Sequence, residues 1–298
     1  MKWFSLVMLF CVLLMSAAPV SAAKDVAYTT DFERWRAGDG GFSGWTLQGT
    51  QVGADGRVTL DAASAVTESD PYAPGAYYGG NYYNGGSYQV GEALSPILAT
   101  GFAFTEAIPS WNAETPAGSW VEVQLRARFG ERWSKWYVLG IWASGEETVQ
   151  RHSVRLQGDA DGYVAVDTLV VSAKKASADA LQVKLRLFSA DGVALPAISA
   201  LSVAYSSGAP KKATLQPGDP ALWNTLVDVP QCSQMVYPDG GNVWCSPTST
   251  SMVLGFWGQP GPCEPRVRAA VAGVYDWIYD GHGNWPFNTA YAAANGME

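Results

Sequence analysis

Residues 120 to 129 alternate strictly between two kinds of side chain. Val121, Val123, Leu125, Ala127 and Phe129 fall on one face; Glu122, Gln124, Arg126 and Arg128 fall on the other. A side-chain period of two fits a pleated strand buried on one side, and it does not fit a helix. Gly130-Glu131 then turns the chain into a second, aromatic-rich strand over residues 133–142, so the two read as a hairpin. Residues 164–172, 181–188 and 198–205 read as further strands, set apart by turns at Gly158, Asp161-Gly162 and Asp191-Gly192. No long helical period interrupts them. Short strands with frequent turns imply a β-sandwich or jelly roll over residues 24–205.

Composition narrows the function classes. Hydrophobic residues make up 48% of the 298, with 13 Trp and 14 Tyr, which is enough apolar surface to exclude a disordered acidic chain. The net charge of -8 argues against nucleic acid as a partner, because phosphates require a basic face. No His/Cys/carboxylate cluster has ligand spacing, so no metal is expected. No Gly-rich phosphate loop joins a strand to a helix, so no nucleotide or other cofactor is expected.

Lys2, the apolar run over residues 3–15 and the small residues Ser16 to Ala23 read as a secretory signal over 1–23, cleaved near Ala22 or Ala23. The run is too short to span a bilayer, which takes about 20 residues. The expected product is therefore secreted, periplasmic or held at the cell surface, with no membrane contact after cleavage. Within the sandwich, the Tyr/Gly-rich segment over 77–88 reads as a Gly-hinged loop whose rings anchor it to the sheet edge. The alternative is a surface on which rings stack on a cell-surface glycan or grip a protein. His152 reads as a surface or hydrogen-bond-satisfied histidine.

Residues 206–221 are a linker by composition, and the three cysteines beyond the signal, Cys232, Cys245 and Cys263, all follow it. An odd count in an exported chain suggests one free thiol. Pro247 suits the first turn of a helix, and Met252, Val253, Phe256 and Trp257 recur at helical spacing as its expected buried face. Cys245 then sits at the helix start, where open N–H groups and the dipole favour an anion such as the thiolate nucleophile of acyl transfer. Gln234, eleven residues upstream, offers an amide donor for a developing oxyanion, with Gln231 as a weaker rival.

This Gln…Trp-Cys arrangement resembles papain-like cysteine peptidases. Asp228-Val229-Pro230, Ser233-Gln234-Met235, Trp244 to Ser249 and Met252-Val253-Leu254 are together similar to cysteine peptidase family thirty-nine, whose founding members trim double-glycine leaders from bacteriocin precursors. The nearer likeness is to exported bacterial relatives. Gly283-Asn284-Trp285-Pro286-Phe287-Asn288 looks like a further signature of those relatives, and the β-rich front resembles the domain that precedes their peptidase. The resemblance implies Cys245 as nucleophile, Gln234 as oxyanion donor and a peptide or protein as substrate. Cys232 and Cys263 are left either to pair or to stay reduced.

The resemblance also implies a histidine base far downstream, on a strand of a second lobe. The chain has only His152 and His282. His282 follows a helix expected from Pro265 to Ile278, with Val267, Ala270, Val271, Val274 and Ile278 on one face and Asp280-Gly281 as its stop. That places His282 at an exposed loop or cap, away from the family's base. One more helix is expected over 288–295. Residues 222–298 thus supply the helical lobe of a papain-like domain without its strands. The expectation is a multidomain, β-rich plus α+β protein: an exported cysteine peptidase cut short at its C-terminus and inactive as written. Two other readings stand beside it: a glycan- or protein-binding sandwich with a vestigial lobe, and another Cys-His acyl enzyme such as a cell-wall amidase or a transglutaminase-like protein.

Overall fold

A computed structural model describes residues 28–172, 178–207 and 218–297. The signal assigned to 1–23 and most of the linker lie outside the described residues. Two antiparallel sheets face each other. One runs in the order Gly162–Ala165, Thr168–Val171, Glu106–Glu114, Ala197–Ser206, Val58–Leu60, Thr50–Val52, with Thr30–Arg36 also paired to Ala197–Ser206. The other is centred on Ala178–Ser189, which pairs with Ser119–Phe129 on one side and Ser87–Leu94 on the other. The fold is the expected β-rich sandwich followed by helices.

Register explains why the alternation at 120–129 is so regular. Val121, Val123 and Leu125 lie opposite Leu187, Leu185 and Val183, and all six are buried between the sheets. Glu122, Gln124 and Arg126 lie opposite Arg186, Lys184 and Gln182 on the outer face. That face is less exposed than a one-sided strand predicts. The Tyr-rich loop folds over it, and Tyr83 Oη donates to Glu122 Oε2 at 2.6 Å. Tyr77, Tyr83 and Tyr88 are buried, while Tyr72 and Tyr78 stay exposed. His152 is buried, with Nδ1 2.9 Å from Ser153 O and Nε2 2.8 Å from Tyr82 O, so it ties this loop down.

Two expected strands are interrupted. Residues 164–172 form a hairpin, because the chain turns at Val166 (φ 61) and draws Asp167 out of the ladder. Residues 133–142 pair only as Arg132–Trp133 and Tyr137–Trp142. Between them the chain detours so that Trp133 and Trp136 clasp the Arg126 guanidinium, at 4.4 and 4.5 Å from the two ring centres.

Three helices complete the molecule: α1 (Cys245–Trp257), α2 (Cys263–Val274) and α3 (Trp285–Ala294). The helix expected over 265–278 starts earlier and ends at Val274, because Tyr275 turns extended (ψ 125) and Asp276 folds inward. Val267, Ala270 and Val274 are its buried face, while Val271 and Ile278 are only half-buried. The helix expected over 288–295 begins at Trp285. Asn284 is its N-cap, accepting from Phe287 N, and Pro286 lies in the first turn, where a missing N–H costs nothing.

The helices share the sandwich core. Phe287 is fully buried between Trp111 of one sheet and Trp142 of the other, with ring centres 6.2 and 5.5 Å away. Gly140 makes room for it: a Cβ there would lie 2.9 Å from the Phe287 ring. Burying a Phe side chain contributes about 1.5–3 kcal/mol, so this one ring is a substantial clamp. Polar ties surround it. Asp167 Oδ2 accepts from Trp285 N at 2.9 Å, and buried Arg151 reaches Ala272 O with Nη1 at 3.0 Å.

Candidate active site

Cys245 is the first residue of α1 and is an exposed, free cysteine. The first intrahelical bond runs from Thr248 N to Trp244 O at 3.0 Å. Pro247 has no N–H, so the N–H groups of Cys245 and Ser246 have no partner within the helix and remain for an incoming acceptor. Trp244 is buried beside the thiol-bearing residue, with Tyr237 5.7 Å away, His282 6.2 Å away and the Arg268 guanidinium 5.9 Å from its ring. Arg268 is paired with Asp239 at 2.7 Å and holds that carboxyl below its usual range.

Two short turns in front of α1 position Gln234. Its Nε2 donates to Gly241 O at 2.6 Å, and the same carbonyl accepts from Trp244 N at 3.3 Å. The carboxamide is thereby fixed next to the residue that precedes Cys245, and its second amide hydrogen has no partner among the described residues. The Asp239-Gly240-Gly241 turn requires both glycines. Gly240 has φ 155, and a Cβ on Gly241 would fall 1.9 Å from Gln234 O. Gln231, the rival donor, is exposed. Cys232 and Cys263 form a disulfide that fixes the approach segment to the start of α2.

The expected buried face of α1 is overturned. Val253, Phe256 and Trp257 are exposed and Met252 is half-buried; the residues that pack inward are Pro247, Thr248, Ser251 and Leu254. The small hydroxyl side lets α1 approach its neighbours closely. Arg266 Nε of α2 donates to Ser251 O at 2.7 Å, and Thr250 Oγ1 donates to Asn288 Oδ1 of α3 at 3.1 Å.

A buried polar relay behind the site was not visible in the sequence. Asp276 is fully buried; Oδ1 accepts from Ser153 N, Ile278 N and Tyr279 N, and Oδ2 accepts from Asn284 Nδ2. Asn288 Nδ2 donates to Asn284 O and His282 O. The nearest signal was Asn284 before Trp285-Pro286, which has the form of a cap followed by a proline. His282 is half-buried rather than exposed. Its Nδ1 is buried without a hydrogen-bond partner among the described residues, and burial pushes its pKa below 6.5 against the opposing pull of Asp280. Neither histidine hydrogen-bonds Cys245.

A family model described as the Peptidase C39 N-terminal domain matches residues 31–206, and one described as the Peptidase C39 like family matches residues 226–298. The chain belongs to the C39-like cysteine peptidase family. In this C39-like chain Cys245 stands at the start of α1 and the Gln234 amide is held just before it. No curated protein matches the sequence. Among solved structures, a family two carbohydrate esterase from Cellvibrio japonicus matches at 11% identity and TM-score 0.25, over 61% of this chain and 36% of that one. A structure reported for carbohydrate-binding modules of the β-sandwich superfamily matches at 9% identity and TM-score 0.22, over 60% of this chain and 54% of that one. The C39-like chain thus spans about a third to a half of those two structures.

Proposed function

We propose that this C39-like chain acts on peptide bonds through Cys245, with Gln234 and the Cys245 N–H as oxyanion donors. The observation that carries this is the convergence of the Gln234 amide and the Trp244 N–H on one carbonyl, immediately before an exposed thiol at a helix start. In this reading Cys245 gives up its thiol proton, its sulfur attacks the substrate carbonyl, the C–N bond breaks as the amine takes a proton and leaves, and water then cleaves the thioester to a carboxylic acid and the free thiol. In a papain-like site a histidine carries that proton. His152 does not fill the role, because both its ring nitrogens face backbone carbonyls in the sandwich. The chain without a histidine bonded to Cys245 keeps a reactive thiol and hydrolyses peptides poorly.

Alkylation separates the two properties. Iodoacetamide near neutral pH is expected to label Cys245 faster than free cysteine; an equal or slower rate refutes the activated thiol. Wherever peptide turnover is measurable, Cys245→Ala abolishes it, and Gln234→Ala lowers kcat by about 10²–10³-fold.

The same reading includes export. The Cys232–Cys263 disulfide supports it, since such bonds persist in oxidising compartments. N-terminal sequencing of the protein recovered outside the cytoplasm is expected to begin at Ala23 or Lys24. An intact Met1 end there excludes the signal.

A further inference from the structure

A groove runs along the seam between the Tyr-rich loop and the turn that follows α2. It has a hollow of about 290 Å³ bounded by Tyr78, Trp277, Asn81 and Gln150 over a floor of Gly79 and Gly80. A second hollow of about 330 Å³ shares Asn81, Gln150 and that floor, and adds Glu146 and Thr148. Together they reach the size of small-ligand sites.

The two aromatic walls are exposed and braced. Tyr78 is 54% exposed and held at φ 50, a left-handed conformation that a bulky residue rarely adopts. Tyr77 supports its ring edge-on at 4.9 Å, and the Arg155 guanidinium lies 5.5 Å from it. Arg155 donates in turn to Ile278 O, which joins this wall to the opposite one. Trp277 is 42% exposed; its backbone N–H donates to Arg151 O at 3.2 Å and Tyr275 meets its ring edge-on at 5.2 Å. Rings that pack by burial alone have no need of such supports.

The polar groups between the walls have capacity to spare. The exposed Gln150 carboxamide makes no hydrogen bond among the described residues. Asn81 accepts from Gly75 N with Oδ1, and its amide hydrogens have no partner among the described residues. Flat rings beside amide donors and acceptors match a sugar, which offers C–H faces to the rings and hydroxyls to the amides. The charges select a neutral one. Glu146 is committed to Arg151 at 3.1 Å, Arg155 is committed to Tyr78 and Ile278 O, and the chain as a whole carries -8. The loop backbone closes on itself through reciprocal Tyr77–Gly80 bonds at 3.1 and 2.9 Å, so that pair has no open strand edge for a peptide.

We propose that this seam groove binds a neutral oligosaccharide, with Tyr78 and Trp277 as stacking platforms and Gln150 and Asn81 as hydroxyl partners. The proposal is independent of Cys245 chemistry. Calorimetric titration of the full chain with laminarihexaose, cellohexaose, maltohexaose and N-acetylchitohexaose tests it, with hexagalacturonate as the acidic probe. At least one neutral probe is expected to bind, and Tyr78→Ala and Trp277→Ala each weaken it about tenfold while leaving Tm unchanged. Gln150→Ala, which removes no internal hydrogen bond, also weakens it. Trp257→Ala, an exposed ring elsewhere, does not. Absence of binding to every neutral probe overturns the proposal, as does binding that survives both aromatic substitutions or is matched by hexagalacturonate.

Discussion

Asp276 shows how much one side chain can hold. Its two oxygens collect four hydrogen bonds, three from backbone N–H groups and one from Asn284, in a site without solvent exposure. Each buried donor left without a partner costs roughly 1–3 kcal/mol. Asp276→Leu is therefore expected to destabilise the protein by about 3 kcal/mol or more, read as a lower denaturation midpoint with unchanged m. Asp276→Asn keeps one acceptor oxygen and should lose less. His282, on the same loop, sets a pH dependence. Burial lowers its folded pKa below 6.5, so between the two values the unfolded chain holds more protons. Stability contributed this way is fully present above about pH 6.5 and declines as pH falls through the folded pKa. In denaturant titrations from about pH 8 to about pH 5, His282→Asn should flatten that slope; an unchanged slope assigns it to another group. The helix start at Cys245 was legible in the sequence because Trp-Cys-Ser-Pro is a local pattern. Asp276 was not, because its burial depends on Ser153, more than a hundred positions away in the chain.

At the scale of elements, strands were easier to read than helix faces. A strand's alternation names its buried side directly, and the two opposed sheets follow from it. In α1 Val253, Phe256 and Trp257 mark the outer side, and Leu254 packs inward beside the small Thr248 and Ser251, which lets α2 and α3 come close. Hydrophobic periodicity has no term for that closeness. The boundaries of α3 were missed for the opposite reason: its first turn is anchored by side chains, Asn284 and Asp167, rather than by period. Its docking rests on Phe287 filling the space above Gly140. Phe287→Ala should cost about 3–5 kcal/mol. Gly140→Val should undock α3 without removing a single apolar atom. Both are expected to shorten the time for amide exchange in Trp285–Ala294, while Ala178–Ser189 in the sandwich centre stays protected. Equal loss in both elements would show that α3 and the sheet open together.

The molecule as a whole raises that question of cooperativity. Val274, Phe287 and Ala290 belong to the same buried cluster as Trp111, Leu125 and Leu201 of the sheets. The family boundary between residues 206 and 226 therefore separates two sequence units that share one core. Residues 226–298 alone would expose Phe287 and leave the Trp285 N–H without its Asp167 acceptor. Thermal unfolding is thus expected to be one transition, with calorimetric and van't Hoff enthalpies equal, where independent domains would give two. The disulfide adds a second handle. It closes a loop across 31 positions; in the chain-entropy account, cross-links of that span stabilise by about 3–4 kcal/mol. If the core is shared, Cys232→Ser with Cys263→Ser lowers the single Tm for sheet and helix signals alike. If instead the helical signal alone shifts and a separate sandwich transition remains at its original temperature, the shared cluster does not couple the two parts.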